Sequence, residues 1–191
     1  MNLKKKYDIW ICDLTHTEQG IVSRTFPLGA SCVFTYAKKE LGNEFNFRLF
    51  KFPSNLNEAL RKKSPSMLCF SNYKWNFELS YKFAYLAKLR DPNLITVWGG
   101  PNFPIDVNEK VEFLRNWPTI DFSIELEGEL GFVDLVKKLS EYNFNIQALK
   151  KNSKKIINTC YLNKDHLISG PIDRIKNVSK IAIYCNKTYL S

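Results

Sequence analysis

No apolar run in this 191-residue sequence approaches the roughly 20 residues needed to span a bilayer, so no membrane association is expected. The amino-terminal Lys4-Lys5-Lys6 followed by Ile9-Trp10-Ile11-Cys12 looks briefly like a secretion signal. Asp13 breaks that apolar stretch and no small-residue cleavage site follows, so a signal peptide is rejected and a cytoplasmic chain is expected. Cysteine is sparse and scattered: Cys12, Cys32, Cys69, Cys160 and Cys185 include no pair three or four residues apart. That spacing supplies no metal-ligand set, and an odd number is a poor disulfide framework. The expectation is a reducing compartment, with Cys12 and Cys69 as buried thiols inside apolar runs.

The motifs of several common chemistries are missing too. There is no Gly-x-x-x-x-Gly-Lys phosphate loop, and the first apolar run does not lead into Gly-x-Gly-x-x-Gly. A phosphoacceptor receiver would carry Asp where Ser71 stands. A flavodoxin phosphate loop is matched only weakly by Thr15-His16-Thr17-Glu18, which has the hydroxyls without the glycine. His16 could serve as a metal ligand, a proton carrier or a polar loop residue. With no second histidine nearby, the last reading is preferred, because ligand sets need partners.

The net charge of +9 suggests nucleic acid until it is located. Residues 141–191 hold nine Lys/Arg against three Asp/Glu, while residues 1–140 hold nineteen against sixteen. The excess therefore belongs mainly to the tail, where a solvated basic segment is the ordinary reading. Nucleic-acid binding is not expected, since the lysines lack the interleaved aromatics of a stacking platform.

What the chain does contain is alternation of short apolar runs with helical periodicity, the pattern of a parallel sheet covered on both faces. The runs fall at 8–14, 45–52, 66–70, 94–98 and 121–126. The second alternates Phe45, Phe47 and Leu49 with Asn46 and Arg48, which predicts an edge strand. Helical stripes are read at 28–41, 56–63, 77–90, 108–117 and from 129 to about 142, with Asn76 as a candidate cap for the third. The pattern decays after Tyr142, apart from a small hairpin at 156–162 and 166–169. The expected architecture is a flavodoxin-like (Rossmann-like), doubly wound, five-stranded parallel sheet in three layers. Residues 1–142 would form the domain and 143–191 a basic extension.

Right-handed crossovers place the loops 15–27, 71–76, 99–107 and 127–129 at one end of such a sheet, where ligands bind in open α/β folds. The first loop is long for its position and therefore a functional candidate. Gly99-Gly100 permits a sharp bend and close approach of a ligand, or makes an ordinary turn. Ser71 offers a hydroxyl at the crevice mouth, or a local cap. Glu127 and Glu129 sit where a helix dipole favours carboxylates, and no acid/base role is read from them.

Together, Pro27-Leu28-Gly29, Ser71, Trp98-Gly99-Gly100-Pro101, Asp121-Phe122-Ser123-Ile124 and Glu127-Gly128-Glu129 make residues 7–142 resemble the N-terminal cobalamin-binding domain of radical SAM enzymes. The resemblance implies a corrinoid across the strand ends, with its nucleotide tail in a slot beside the sheet. It implies contacts from Thr15, His16 and Thr17, from Ser71 and Asn72, from Gly99, Gly100 and Pro101, and from Glu127 and Gly128. Two departures stand out. The Asp-x-His-x-x-Gly pattern of an axial histidine is not met, since Leu14 lies two before His16 and Gly20 one residue too far after it. The Cys-x-x-x-Cys-x-x-Cys of the radical SAM cluster is absent, and residues 178–191 lack the relatives' Pro-Ser-Pro-Tyr-like linker. The implied function is a cobalamin-binding module, a truncated or split part of an enzyme such as a methyltransferase. It would carry no iron–sulfur cluster, would not be catalytic alone, and would work with a separate radical SAM catalytic chain. Two other readings stand beside it: a flavin or nucleotide-binding redox domain, and a basic interaction module.

Overall fold

The structure, a computed structural model, describes residues 7–17 and 26–176. The five expected runs form β1 (Tyr7–Cys12), β2 (Phe45–Phe50), β3 (Met67–Ser71), β4 (Ile95–Gly99) and β5 (Phe122–Ile124). They lie parallel in the order β2-β1-β3-β4-β5. Between them run α1 (Leu28–Leu41), α2 (Pro53–Lys62), α3 (Phe77–Arg90), α4 (Val107–Asn116) and α5 (Gly128–Glu141). Pro at the first position of α2 suits a site where no backbone N–H is needed. Asp106 caps α4, its side chain accepting from the N–H groups of Asn108 (2.8 Å) and Glu109 (3.2 Å).

The expected strand count is corrected: the sheet has seven strands, not five. The hairpin at the end, β6 (Thr159–Asn163) and β7 (His166–Ser169), joins the sheet, with β6 antiparallel to β5. The physical reason is edge protection. Without β6, the three-residue β5 would present unpaired backbone groups at the sheet boundary. A further short helix, α6 (Ile146–Lys151), lies where the periodicity faded, capped by Asn145 through a 3.0 Å bond from the Ala148 N–H.

Side chains alternate across the strands and divide the core in two. Ile9, Ile11, Met67, Cys69, Ile95, Val97, Phe122 and Ile124 pack with Phe34 and Ala37 of α1 and with Phe132, Leu135, Val136 and Leu139 of α5. On the other face, Trp10, Cys12, Leu68, Phe70 and Trp98 pack against α2, α3 and α4. Trp10 and Trp98 are fully buried, and their indole N–H groups have no hydrogen-bond partner. Each orphan donor offsets on the order of 1–3 kcal/mol of the favourable ring burial. Among the described residues, no helix is long and apolar enough to cross a membrane.

Candidate functional site

The strand order reverses between β1 and β3, so the chain leaves β1 toward one face of the sheet and β3 toward the other. That divergence opens a crevice at the carboxyl ends. Register aligns those ends: Cys12 lies beside Phe70, Ser71 beside Gly99, and Gly99 beside Ile124. A cavity of about 660 Å³ opens there, a size suited to holding a small molecule or one limb of a larger one. Its floor is the sheet face carrying Ile11, Cys69, Val97, Gly99 and Ile124. Its walls are Gly29, Ala30 and Val33 of α1 and Gly128, Glu129 and Phe132 of α5.

The cavity exists because small residues stand where larger ones would fill it. A Cβ placed on Gly99 would meet nothing nearer than Ile124, at 3.8 Å, and one on Gly29 only the Tyr73 hydroxyl at 3.9 Å. Neither glycine is demanded by its own packing. Gly100 is different. Its φ of +137° is hostile to side chains, and a Cβ there would lie 2.6 Å from the Asn72 carbonyl oxygen. The Asn72 N–H donates to the Gly99 carbonyl (2.7 Å) and the Asn102 N–H to the Asn72 carbonyl (3.1 Å), tying the loops after β3 and β4 together. Gly100 serves that junction, and Gly99 leaves the space.

Ser71 is already engaged. Its hydroxyl donates to Asp13 and accepts from Asn76 Nδ2 at 3.0 Å. Asn76 Oδ1 in turn accepts from the Tyr73 N–H at 3.0 Å. The expectation that Asn76 caps α3 is therefore corrected: its side chain makes no cap bond and turns back to brace the 71–76 loop. Burial raises the Asp13 carboxyl above its usual pKa, with the Ser71 bond and Lys51 opposing the rise. With its proton committed, Ser71 can offer a ligand only a lone pair.

Three carboxylates line the cavity beside β5. Glu125 pairs with Lys110 at 2.5 Å and accepts from the Cys160 thiol at 2.8 Å. Burial, followed by that bond, pushes the Cys160 pKa to about 12. Glu127 is held by Arg174 through Nη2 at 2.8 Å and Nε at 2.9 Å, and its second oxygen is buried without a partner. Arg174 reaches it because Asn158 clamps the preceding backbone, exchanging hydrogen bonds with Asp173 at 2.8 and 2.7 Å. Glu129 has no such partner. Burial raises its pKa and the Glu127 charge adds to the rise, opposed by a bond from its own backbone N–H.

Of the residues predicted from sequence, Ser71, Gly99, Gly100, Pro101, Glu127 and Gly128 all line the cavity. Asn72 is buried behind it at the loop junction. Thr15 is buried, with its N–H donating to the Lys51 carbonyl at 3.1 Å. The His16 Nε2 lies 2.9 Å from the Trp75 carbonyl, and Thr17 is exposed. Thr15, His16 and Thr17 are not among the lining residues, and residues 18–25 of that loop lie outside the described residues. Gly29, Ala30, Val33, Glu129 and Phe132 were not singled out as site residues. Only the helical spacing of Gly29, Ala30 and Val33 could have pointed to a common small face. Among the described residues, no group of three or more His, Cys, Asp or Glu side chains is placed to hold a metal ion.

No protein-family model matches the chain. It is 31% identical over 121 residues to 2-(S-pantetheinyl)-carbapenam-3-carboxylate methyltransferase of Streptantibioticus cattleyicolor, across 61% of this chain and 17% of that protein. Identity and coverage are the same for the cobalamin-dependent radical SAM methyltransferase TokK of Streptomyces tokunonensis. The resemblance to cobalamin-dependent radical SAM enzymes holds. This chain spans about a sixth of the length of those relatives, 17% in each case. Its fold matches the cobalamin-dependent S-adenosylmethionine radical enzyme OxsB, solved with aqua-cobalamin and S-adenosylmethionine bound. The TM-score is 0.64 at 15% identity, covering 90% of this chain and 23% of that one. The structure of OxsB without cofactor matches with a TM-score of 0.61 at 15% identity, over 93% of this chain and 23% of that one.

Proposed function

We propose that this chain is the corrinoid-binding part of a cobalamin-dependent radical SAM enzyme. The observation that carries the reading is the cavity at the carboxyl ends of β1, β3, β4 and β5, kept open by Gly29 and Gly99, whose missing side chains no internal contact requires. Apolar walls from Val33, Val97, Ile124 and Phe132 suit a planar, largely apolar limb such as the nucleotide base of cobalamin. Polar groups at the mouth suit its hydrogen-bonding substituents.

Ser71, Gly99, Gly100, Pro101, Glu127 and Gly128 would hold the cofactor, with Asn72 stiffening the junction behind them. Thr15, His16 and Thr17 would approach from the loop after β1. When bound, the corrinoid supplies cobalt-centred methyl chemistry. The chain's own contribution is to bind it, orient it and exclude water from the slot. Radical generation needs a cluster-binding cysteine set. We assign that step, with its iron–sulfur cluster, to a radical SAM catalytic unit working beside this one.

The test is reconstitution of the purified chain with hydroxocobalamin, followed by gel filtration and visible spectroscopy. Stoichiometric corrinoid absorbance co-eluting with folded protein is expected. Folded protein that elutes colourless, or yellow with a flavin, would overturn the reading.

A further inference from the structure

At the amino end of β5, away from the cavity, one lysine is enclosed without a counter-ion. Lys150, near the end of α6, sets its Nζ over two aromatic rings, 5.3 Å from the Phe122 centroid and 5.7 Å from that of Tyr161. Both rings are fully buried and meet edge to face, their centroids 5.2 Å apart. Their π faces attract a cation but bring no charge to neutralise it. The carboxylate that reaches Lys150 is Asp121, and it is already taken. Lys88 Nζ lies 2.6 Å from its Oδ2, which also accepts from the Thr96 N–H at 2.8 Å. Among the described residues Lys150 itself makes no ion pair.

The ionisable groups around Lys150 are thus Asp121 before β5, Lys88 from α3 and Tyr161 from β6. Burial lowers the amine's pKa, Asp121 opposes the fall and Lys88 adds to it. Enclosure against apolar rings beside a second cation is the arrangement that activates a lysine as a nucleophile. Lys150 keeps part of its surface open to solvent. Beside it, the exposed Lys151, Lys154 and Lys155 complete a stretch, 150–155, that contains no acidic residue. A local excess of positive charge draws small anions toward it.

We propose that Lys150 is an acylation site whose donors are small acyl phosphates. In the step, the Nζ lone pair attacks the carbonyl carbon of the donor. An N–C bond forms, the C–O bond to phosphate breaks, and the departing phosphate takes the electron pair of that bond and the surplus proton of the nitrogen. The product is a neutral amide. It suits the aromatic enclosure better than an unpaired ammonium does, and it leaves the pair of Lys88 and Asp121 in place. This site and the corrinoid reading are independent, and either can fail alone.

The experiment treats the full chain with acetyl phosphate to low conversion, digests it with a protease that does not cleave at lysine, and quantifies each acetylated site by mass spectrometry. Exposure alone would rank Lys151, Lys154 and Lys155 ahead of Lys150. The expected order is the reverse, with Lys150 acetylated at least about threefold faster than Lys151. Unfolding in guanidinium chloride should erase that lead. Lys88→Met should erase it as well, because Asp121 is then free to take the Lys150 ammonium, whereas Lys88→Arg should preserve it. Lys150 reacting no faster than Lys151 in the native chain would overturn the proposal. A lead that persists in guanidinium chloride would also overturn it, by tracing the reactivity to local sequence. So would a lead that survives in folded Lys88→Met or is lost in folded Lys88→Arg. Circular dichroism verifies the folding of both variants, and if Lys88→Met does not fold, the denatured chain and Lys88→Arg still decide.

Discussion

Gly99 and Gly100 are adjacent in sequence and identical in chemistry, yet the structure gives them opposite duties, and a pair of alanine substitutions separates them. At Gly99 the backbone is ordinary strand and the added methyl would meet only Ile124, at 3.8 Å. Alanine there restricts the unfolded chain without straining the native one, so Gly99→Ala should stabilise the fold by roughly 0.4–1 kcal/mol. At Gly100 the methyl would be driven to 2.6 Å from the Asn72 carbonyl oxygen, on a backbone with φ of +137°. Backbone strain and overpacking together should cost roughly 2–5 kcal/mol. Urea unfolding followed by circular dichroism measures both, with the midpoint shifting up for the first variant and down for the second. The larger Gly99→Val then tests the cavity. It should fold, and it should weaken hydroxocobalamin binding more than tenfold by occupying the slot. Equal destabilisation by the two alanine variants, or undiminished binding in Gly99→Val, would refute the division of labour.

Three further outcomes are expected. Lys110→Met should cost about 3–5 kcal/mol in urea unfolding, because it leaves Glu125 largely buried without its cation; the side chains of the pair are 11% and 19% exposed. A loss below about 1 kcal/mol would place the pair among surface bridges. Glu129→Gln should raise the melting temperature at neutral pH, with the gain shrinking as pH falls toward the carboxylate's ordinary value of 4.5. The sign follows from linkage: a carboxyl whose folded pKa is raised binds its proton more tightly when native, so native stability declines as pH climbs through that folded value. A pH-independent difference between the two proteins would contradict this. The thiols of Cys12 and Cys160 are fully buried and do not line the cavity, and burial raises the pKa of each. They should react with Ellman's reagent only as fast as the chain unfolds; rapid native-state labelling at either of them would refute the burial.

How legible this was depended on whether a feature is local. The helices at Leu28–Leu41 and Phe77–Arg90 were readable because their apolar stripes and stop signals lie within the elements. Alternation of Phe45, Phe47 and Leu49 marked β2 as a sheet edge, which it is. The hairpin of β6 and β7 was visible as a hairpin, but its attachment to β5 is a tertiary choice that no pattern in 156–169 encodes. The rim loops could be grouped from crossover handedness alone, so Ser71, Gly99, Gly100, Pro101, Glu127 and Gly128 came together as expected. The burial of Glu129 was not foreseen, because it arises from the packing of distant elements around the cavity. At the level of sequence, the residue reads only as a helix-start carboxylate. The separate duties of Gly99 and Gly100 were likewise invisible, since they depend on where Asn72 and Ile124 lie.

A crystal structure of the chain grown with hydroxocobalamin most directly tests the slot between α1 and α5. Density for the nucleotide limb against Gly99, bounded by Val33 and Phe132, is the predicted result. A corrinoid seated elsewhere on the surface, or the slot closed by the chain's own side chains, would contradict it.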